Sequence, residues 1–318
     1  NDVFQWDPGD GSDVVEGASG TDTLLFNGSN ANEGIDISAS GERVRFFRDI
    51  ANITTDLNDV ETIRFEARGG TDNIIVHDLT GTDVTLVAIN LAGAGGTTGD
   101  DQADSVIAHG TNGDDVIAVN VVGTQTTVQG LAAHLMIDHA EPGDKLLISG
   151  LDGDDLIDGS ALAAGTLGLL LSGDVGDDIL LGGASGDTLL GGLGGDVLFG
   201  NDGDDTITGG VGDDLIFGGA GNDTFRITSS LDGHDIIADF DGDPAGGQDV
   251  LDLDAFFDSA EVVGVSRTDR VQISDEGASV NIFIDADGIA ANGFEMLAAR
   301  LTTPDEVTLG VDVVVGSL

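Results

Sequence analysis

The stretch GDVGDDILL GGASGDTLL GGLGGDVLF GNDGDDTIT GGVGDDLIF GGAGNDTFR (173–226) is six abutting units of nine residues with no insertion. Gly opens every unit, at Gly173, Gly182, Gly191, Gly200, Gly209 and Gly218. Asp holds the sixth place throughout, as Asp178, Asp187, Asp196, Asp205, Asp214 and Asp223. The eighth place is always large and apolar: Leu180, Leu189, Leu198, Ile207, Ile216 and Phe225. Flexible Gly- and Asp-rich sequence carries no such constraint at every eighth residue, so the period is structural.

The unit can be rebuilt from its residue types. Glycines at the first, second and fourth places permit a tight turn and leave carbonyl oxygens uncovered, and the Asp adds an anionic oxygen. A three-residue strand follows, with its middle residue, the eighth of the unit, pointing inward because strand side chains alternate. Two units then make one flattened coil, and coils stack about 4.8 Å apart. That stack puts Asp178, Asp196 and Asp214 along one edge and Asp187, Asp205 and Asp223 along the other. A cation between vertically adjacent turns meets two carboxylates and several carbonyls, the hard all-oxygen shell that calcium takes. Bridging sites are expected at Asp178/Asp196, Asp196/Asp214, Asp187/Asp205 and Asp205/Asp223.

These units resemble those of the RTX (repeats-in-toxin) family, a resemblance that implies a parallel β-roll with calcium in its turns. The units at Gly191, Gly209 and Gly218 match the motif G-G-x-G-x-D-x-U-x in full. The others depart at Asp174, Ser185 and Asn201, which weakens individual sites without breaking the period.

Outward from the repeat, the chain has 318 residues, 59 acidic against 10 basic, for a formal charge of −49. Such a chain repels nucleic acid and anionic membranes. It also repels itself, so its folded state is expected to depend on bound cations. Hydrophobic residues make up 40%, too many for a disordered acidic tail. There is no Cys, which excludes disulfides and thiolate metal sites. No apolar run is long enough to span a membrane.

Near the start, PGDGSDVVE (8–16) and GASGTDTLL (17–25) are two further units, with Asp13 and Asp22 at the ligand place. Neither has an evident partner one coil away. IDISAS (35–40), ERVRFFRD (42–49) and ETIRFEA (61–67) read as strands by alternation. They bring five of the ten basic residues: Arg43, Arg45, Arg48, Arg64 and Arg68. A solvated face with local salt bridges is the simpler reading of these arginines, and a docking surface for a neighbouring copy the other. GGTDNIIV (69–76) carries a partial unit with Asp72, and GTNGDDVIA (110–118) a better one with Asp115. Short strands such as VIAVNVV (116–122), HLMID (134–138) and KLLIS (145–149), with no convincing helix, suit irregular coils of a solenoid. GLDGDDLID (150–158) is another unit; the fourteen residues 159–172 replace one nonapeptide, so Asp155 is expected beneath Asp178.

After Arg226 the period stops. Residues 232–253 resemble the segment that closes RTX rolls, and a cap is physically required over the last coil. VQIS (271–274) and SVNIFID (279–285) read as strands and GFEMLAARL (293–301) as a short helix. The ending EVTLGVDVVVGSL (306–318) resembles the signal of type I secretion substrates.

Catalytic signatures are missing. There is no H-E-x-x-H, G-x-S-x-G or P-loop, and the five histidines are scattered. Asp239, Asp241 and Asp243 have the spacing of an EF-hand start, which fails at Pro244 and Val250.

The expected fold is all-β, a parallel β-solenoid with an RTX β-roll and a C-terminal β cap. Its segments are an irregular solenoid (1–149), the calcium-binding roll (150–226), and the cap with the secretion signal (227–318). The expected cofactor is Ca2+, held by Asp155, Asp178, Asp187, Asp196, Asp205, Asp214 and Asp223, with Asp13, Asp22, Asp72 and Asp115 as outlying candidates. The expected role is that of a secreted, non-enzymatic structural protein of a filament, surface layer or matrix. It would be exported by type I secretion machinery and associate with its own copies. The alternative is a folding and secretion module of a larger secreted enzyme or adhesin.

Overall fold

A computed structural model describes residues 1–229, 231–241, 248–259, 271–275, 279–284, 296–302 and 313–314. The chain divides into two units, Asn1–Leu151 with Ile157–Leu170, and Asp152–Leu156 with Leu171–Leu318.

In the second unit the nonapeptides fold as their period dictates. Strand Ile179–Leu181 pairs in parallel with Val197–Asp202, which pairs with Leu215–Ala220, which pairs with Asp235–Ile237. Opposite them, Thr188–Leu193, Thr206–Val211, Thr224–Arg226 and Val250–Asp252 form a second parallel run. Leu180, Leu189, Leu198, Ile207, Ile216 and Phe225 are all buried between the two runs. Their neighbours face outward, where Phe199 and Phe217 stack with ring centres 4.7 Å apart. The register advances by 18 residues per coil, Leu198 opposite Ile216 and Leu189 opposite Ile207.

The roll is closed by non-repeating strands. Asp235–Ile237 pairs in parallel with Met296–Thr302, which continues antiparallel into Ser279–Ile284 and then Val271–Asp275. The helix expected over 293–301 is therefore corrected: its described part is strand. Ala299 and Leu301 are buried while Arg300 between them is exposed, so the alternation that places one face against Ile282 and Val280 outweighs the helix propensity of Leu and Ala. A helix does form at Asp254–Ser259, burying Phe256 and Phe257. The sequence carried no signal for it. The ending 306–318 lies outside the described residues except for Val313–Val314, as do Asp243 and Pro244.

The first unit is a coil of the same kind with longer turns. Val3–Trp6, Thr23–Asn27, Thr62–Arg68, Leu86–Gly93 and His134–Asp138 form one parallel run. Gly34–Ser40, Asn73–Val76, Ser105–His109 and Lys145–Asp152 form another. Two antiparallel excursions interrupt it. Arg43–Arg48 pairs with Gly34–Ser40 and with Ile53–Asn58, and Gln125–Gln129 pairs with Val116–Val122 and with His134–Asp138. Trp6, Phe26, Phe46 and Phe65 fill the core there, with Trp6 stacked on Phe26 at 4.0 Å.

Candidate functional site

The sixth-place aspartates line up in two columns. In each, the backbone N–H of one Asp donates to Oδ1 of the Asp one coil further on. The first column runs Asp155 to Asp178 (2.7 Å), Asp178 to Asp196 (2.8 Å), Asp196 to Asp214 (2.8 Å) and Asp214 to Asp235 (3.2 Å). The second runs Asp187 to Asp205 (2.7 Å), Asp205 to Asp223 (2.9 Å) and Asp223 to Asp249 (2.9 Å). All of these side chains are buried. The order along both edges is the one the period predicts, and Asp155 lies where the long turn 159–172 puts it. Asp235 and Asp249 extend the columns into the cap; they were not legible because they follow their neighbours by 21 and 26 residues instead of 18.

The remaining oxygens define the chemistry. Oδ2 of Asp178, Asp196, Asp205, Asp214, Asp223 and Asp235 is buried without a hydrogen-bond donor. The turn glycines wrap closely around these atoms. A Cβ on Gly209 would run into the Asp214 carboxylate, its Cγ at 2.7 Å. A Cβ on Gly173 would meet both Asp178 Oδ2 and, at 2.7 Å, the Gly191 carbonyl oxygen of the next coil. The turns that open at Gly173, Gly182, Gly191 and Gly200 therefore each gather a carboxylate oxygen and a main-chain oxygen about one point.

Burial, opposed by the amide hydrogen bonds and reinforced by neighbouring carboxylates, pushes Asp196 and Asp205 up to about 7. It pushes Asp214, Asp223 and Asp249 up to about 6, and Asp235 up to about 9. The single basic residue of the repeats is Arg226, which pairs with Asp252 at 3.3 Å, and no Lys, Arg or His lies between Lys145 and Arg226 to neutralise these charges. Among the described residues no three His, Cys, Asp or Glu side chains converge on one point. An ion in the columns would draw on carboxylates of adjacent coils and on main-chain carbonyls. That all-oxygen set fits calcium, which accepts six to eight oxygen ligands in flexible geometry, roughly as the handful of oxygens around each turn provides.

One turn differs. At 182–187 neither Gly183 nor Ser185 has positive φ, whereas the corresponding Gly192 and Gly194 have φ +123° and +142°. Gly183 N–H donates to Asp187 Oδ2 at 2.6 Å, so this carboxylate oxygen is already engaged within its own turn.

The outlying candidates behave differently from one another. Asp13 is exposed, opposite Thr55 in a parallel strand pair. Asp22 is buried; its N–H donates to Glu61 Oε2 at 2.6 Å, and Asp2 N–H donates to Asp22 Oδ1 at 2.5 Å. Asp115 is half-buried and its Oδ2 accepts from Thr111 N–H (2.6 Å) and Oγ1 (3.0 Å). Asp72 belongs to a third column. Glu33 N–H donates to Asp72 Oδ1 (2.8 Å), Asp72 to Asp104 (2.7 Å) and Asp104 to Asp144 (2.9 Å). Burial pushes Asp72 up to about 8 and Asp104 to about 7. Glu33, Asp104 and Asp144 escaped the sequence reading because 32 to 40 residues separate successive members.

The arginines are locally engaged. Arg43 pairs with Asp56 (2.7 Å) and Glu16 (2.8 Å), Arg45 with Asp36 (2.9 Å), and Arg64 with Glu66 (2.6 Å). Arg48 is buried against Glu33, and Arg68 donates to Asn27 at 2.7 Å.

Stacked parallel coils with carboxylate columns in glycine turns define a parallel β-solenoid whose turns offer an all-oxygen donor set. More particularly, the chain carries RTX calcium-binding nonapeptide repeats, matched at residues 9–28, 170–198 and 190–225. No curated protein matches it. Among solved structures it is similar to the R3 subunit of a mannuronan C5-epimerase from Azotobacter vinelandii, at 27% identity over 46% of this chain and 92% of that one, with a TM-score of 0.26. It is also similar to the extracellular lipase LipA from Serratia marcescens, at 16% identity over 95% of this chain and 42% of that one, with a TM-score of 0.25.

Proposed function

We propose that this is a secreted, non-enzymatic structural protein whose folding is switched on by extracellular calcium, bound in the two aspartate columns. The observation that carries the reading is the run of buried carboxylate oxygens with no donor, in repeats whose one basic residue, Arg226, is paired with Asp252. Where calcium is scarce, burying these carboxylates as anions is costly, so the chain stays expanded and can thread a type I export channel. Outside, calcium near the millimolar range suits sites with dissociation constants of about 10⁻⁴ to 10⁻³ M. Binding free energy then becomes folding free energy. The folded chain would serve in a filament, surface layer or matrix by associating with its own copies.

Light scattering coupled to size exclusion, with calcium titrated from chelator to several millimolar, tests the structural role. Growth from an expanded monomer to very large species supports it. Compaction to a stable monomer rejects self-assembly and leaves the alternative, a calcium-folded module serving a larger secreted enzyme or adhesin.

A further inference from the structure

We propose that turns 28–33 and 67–72 of the first unit, outside the regular repeats, hold a divalent cation between the carboxylates of Glu33 and Asp72. The main-chain oxygens of Glu66 and Ala67 would complete part of the shell. Calcium is the cation class that such oxygens favour.

The two turns stack as the repeat turns do, contact by contact. Glu33 follows Gly28 by five residues, as Asp196 follows Gly191, and Ile35 and Ile74 two places on are buried like Leu198. Glu33 N–H donates to Asp72 Oδ1 at 2.8 Å, as Asp178 N–H does to Asp196 Oδ1. Thr71 N–H donates to Asn32 Oδ1 at 3.0 Å, matching Gly195 N–H to Asp177 Oδ1 at 2.8 Å. Gly70, at φ +106°, lies over the Ala31 carbonyl as Gly194 lies over that of Gly176. The strands that follow keep register, Gly34 opposite Asn73.

Two buried oxygens point to a ligand independently of this likeness. Glu33 is 2% exposed and Asp72 is 1% exposed, and neither Glu33 Oε2 nor Asp72 Oδ2 has a hydrogen-bond donor. The position of a Cβ on Gly28 would collide with Glu33 Oε2 and lie 2.9 Å from both the Ala67 and the Glu66 carbonyl oxygens. Three oxygens thus surround one point that only glycine leaves open.

This site differs from those of the roll in one respect. Glu33 Oε1 is held by Arg48, whose Nε lies 2.8 Å away, and the guanidinium is itself buried. Arg48 cancels one of the two carboxylate charges, so binding is weaker here than in the roll by about tenfold, because ligand charge count tunes calcium affinity. The nonapeptide period hides the site, since 39 residues separate Glu33 from Asp72 where 18 separate Asp178 from Asp196.

The chain offers its own probe. Trp6 is the only tryptophan, there is no tyrosine, and the Arg48 guanidinium lies 5.4 Å from the Trp6 ring centre. Terbium is titrated into the calcium-free full chain and its luminescence excited through the indole. Sensitised emission that excess calcium displaces is the expected result. Asp72→Asn should lower it at least fivefold while the circular dichroism at saturating calcium stays that of the unaltered chain. Asp22→Asn should leave it in place. If Asp72→Asn does not fold, Glu33→Gln takes its place, as its carboxamide oxygen still accepts from Arg48. Absence of sensitised emission in the folded chain, its persistence in the Asp72 or Glu33 variant, or its loss in Asp22→Asn alone would overturn the proposal.

Discussion

Asp178, Asp196, Asp205, Asp214 and Asp223 divide their oxygens between two duties: Oδ1 takes the amide of the adjacent coil, and Oδ2 is left facing the turn glycines. The sequence alone makes Asp223 the end of its column, shared by fewer sites than Asp196 or Asp205. The structure places Asp249 beyond it, so Asp223 is an interior member. Replacing Asp196, Asp205 or Asp223 by Asn is therefore expected to raise the calcium midpoint by similar factors, roughly tenfold each, through loss of one ligand charge. Calcium titrations followed by circular dichroism check this; a clearly smaller shift for Asp223→Asn would show that Asp249 does not complete a site. Gly194→Ala puts a side chain at φ +142° and its Cβ into the Gly176 carbonyl. It should cost about 3 kcal/mol, the sum of backbone strain and overpacking, read in calcium-saturated urea melts.

The turn and its strand are the elements that the sequence made plain. A Gly in the first place, an Asp in the sixth and an inward residue in the eighth specify a coil edge, and all six units obey. The turn at 182–187 shows what one substitution does: without a glycine at Ser185 the chain takes another path, and Gly183 N–H claims Asp187 Oδ2. Ser185→Gly should release that oxygen and lower the calcium midpoint several-fold, about the effect of restoring one ligand. An unchanged midpoint would mean that the path is set by the neighbouring coils. The first unit was legible as strands but not as columns. Its antiparallel excursions at Arg43–Arg48 and Gln125–Gln129 stretch the spacing from 18 to as many as 40 residues, beyond any short motif. The strand Met296–Thr302 was hidden for a different reason, because its partners are distant in sequence and helix propensity is local.

For the whole molecule, 59 acidic residues against 10 basic ones make protons and calcium competitors for the same buried oxygens. The folded pKa values of about 7 for Asp196 and Asp205 and about 9 for Asp235 lie above the unfolded value near 3.9. A raised folded pKa contributes stability that is complete below the unfolded value and is lost as pH rises through the folded one. In chelator the chain should therefore gain β structure on acidification from pH 9 to 5. The calcium midpoint should move the other way, rising as protons occupy the carboxylates. Magnesium should substitute poorly, since it demands near-octahedral geometry and gives up water reluctantly.

The central claim is that at pH 8 the carboxylate columns fold only when a metal cation neutralises them. Its most direct test is the hydrodynamic radius and far-ultraviolet circular dichroism of the full chain at pH 8, titrated from chelator to several millimolar calcium. A cooperative change from an expanded coil to a compact β spectrum is expected, with a midpoint of about 10⁻⁴ to 10⁻³ M. A chain already compact, with the same β spectrum in chelator as in calcium, would contradict the account.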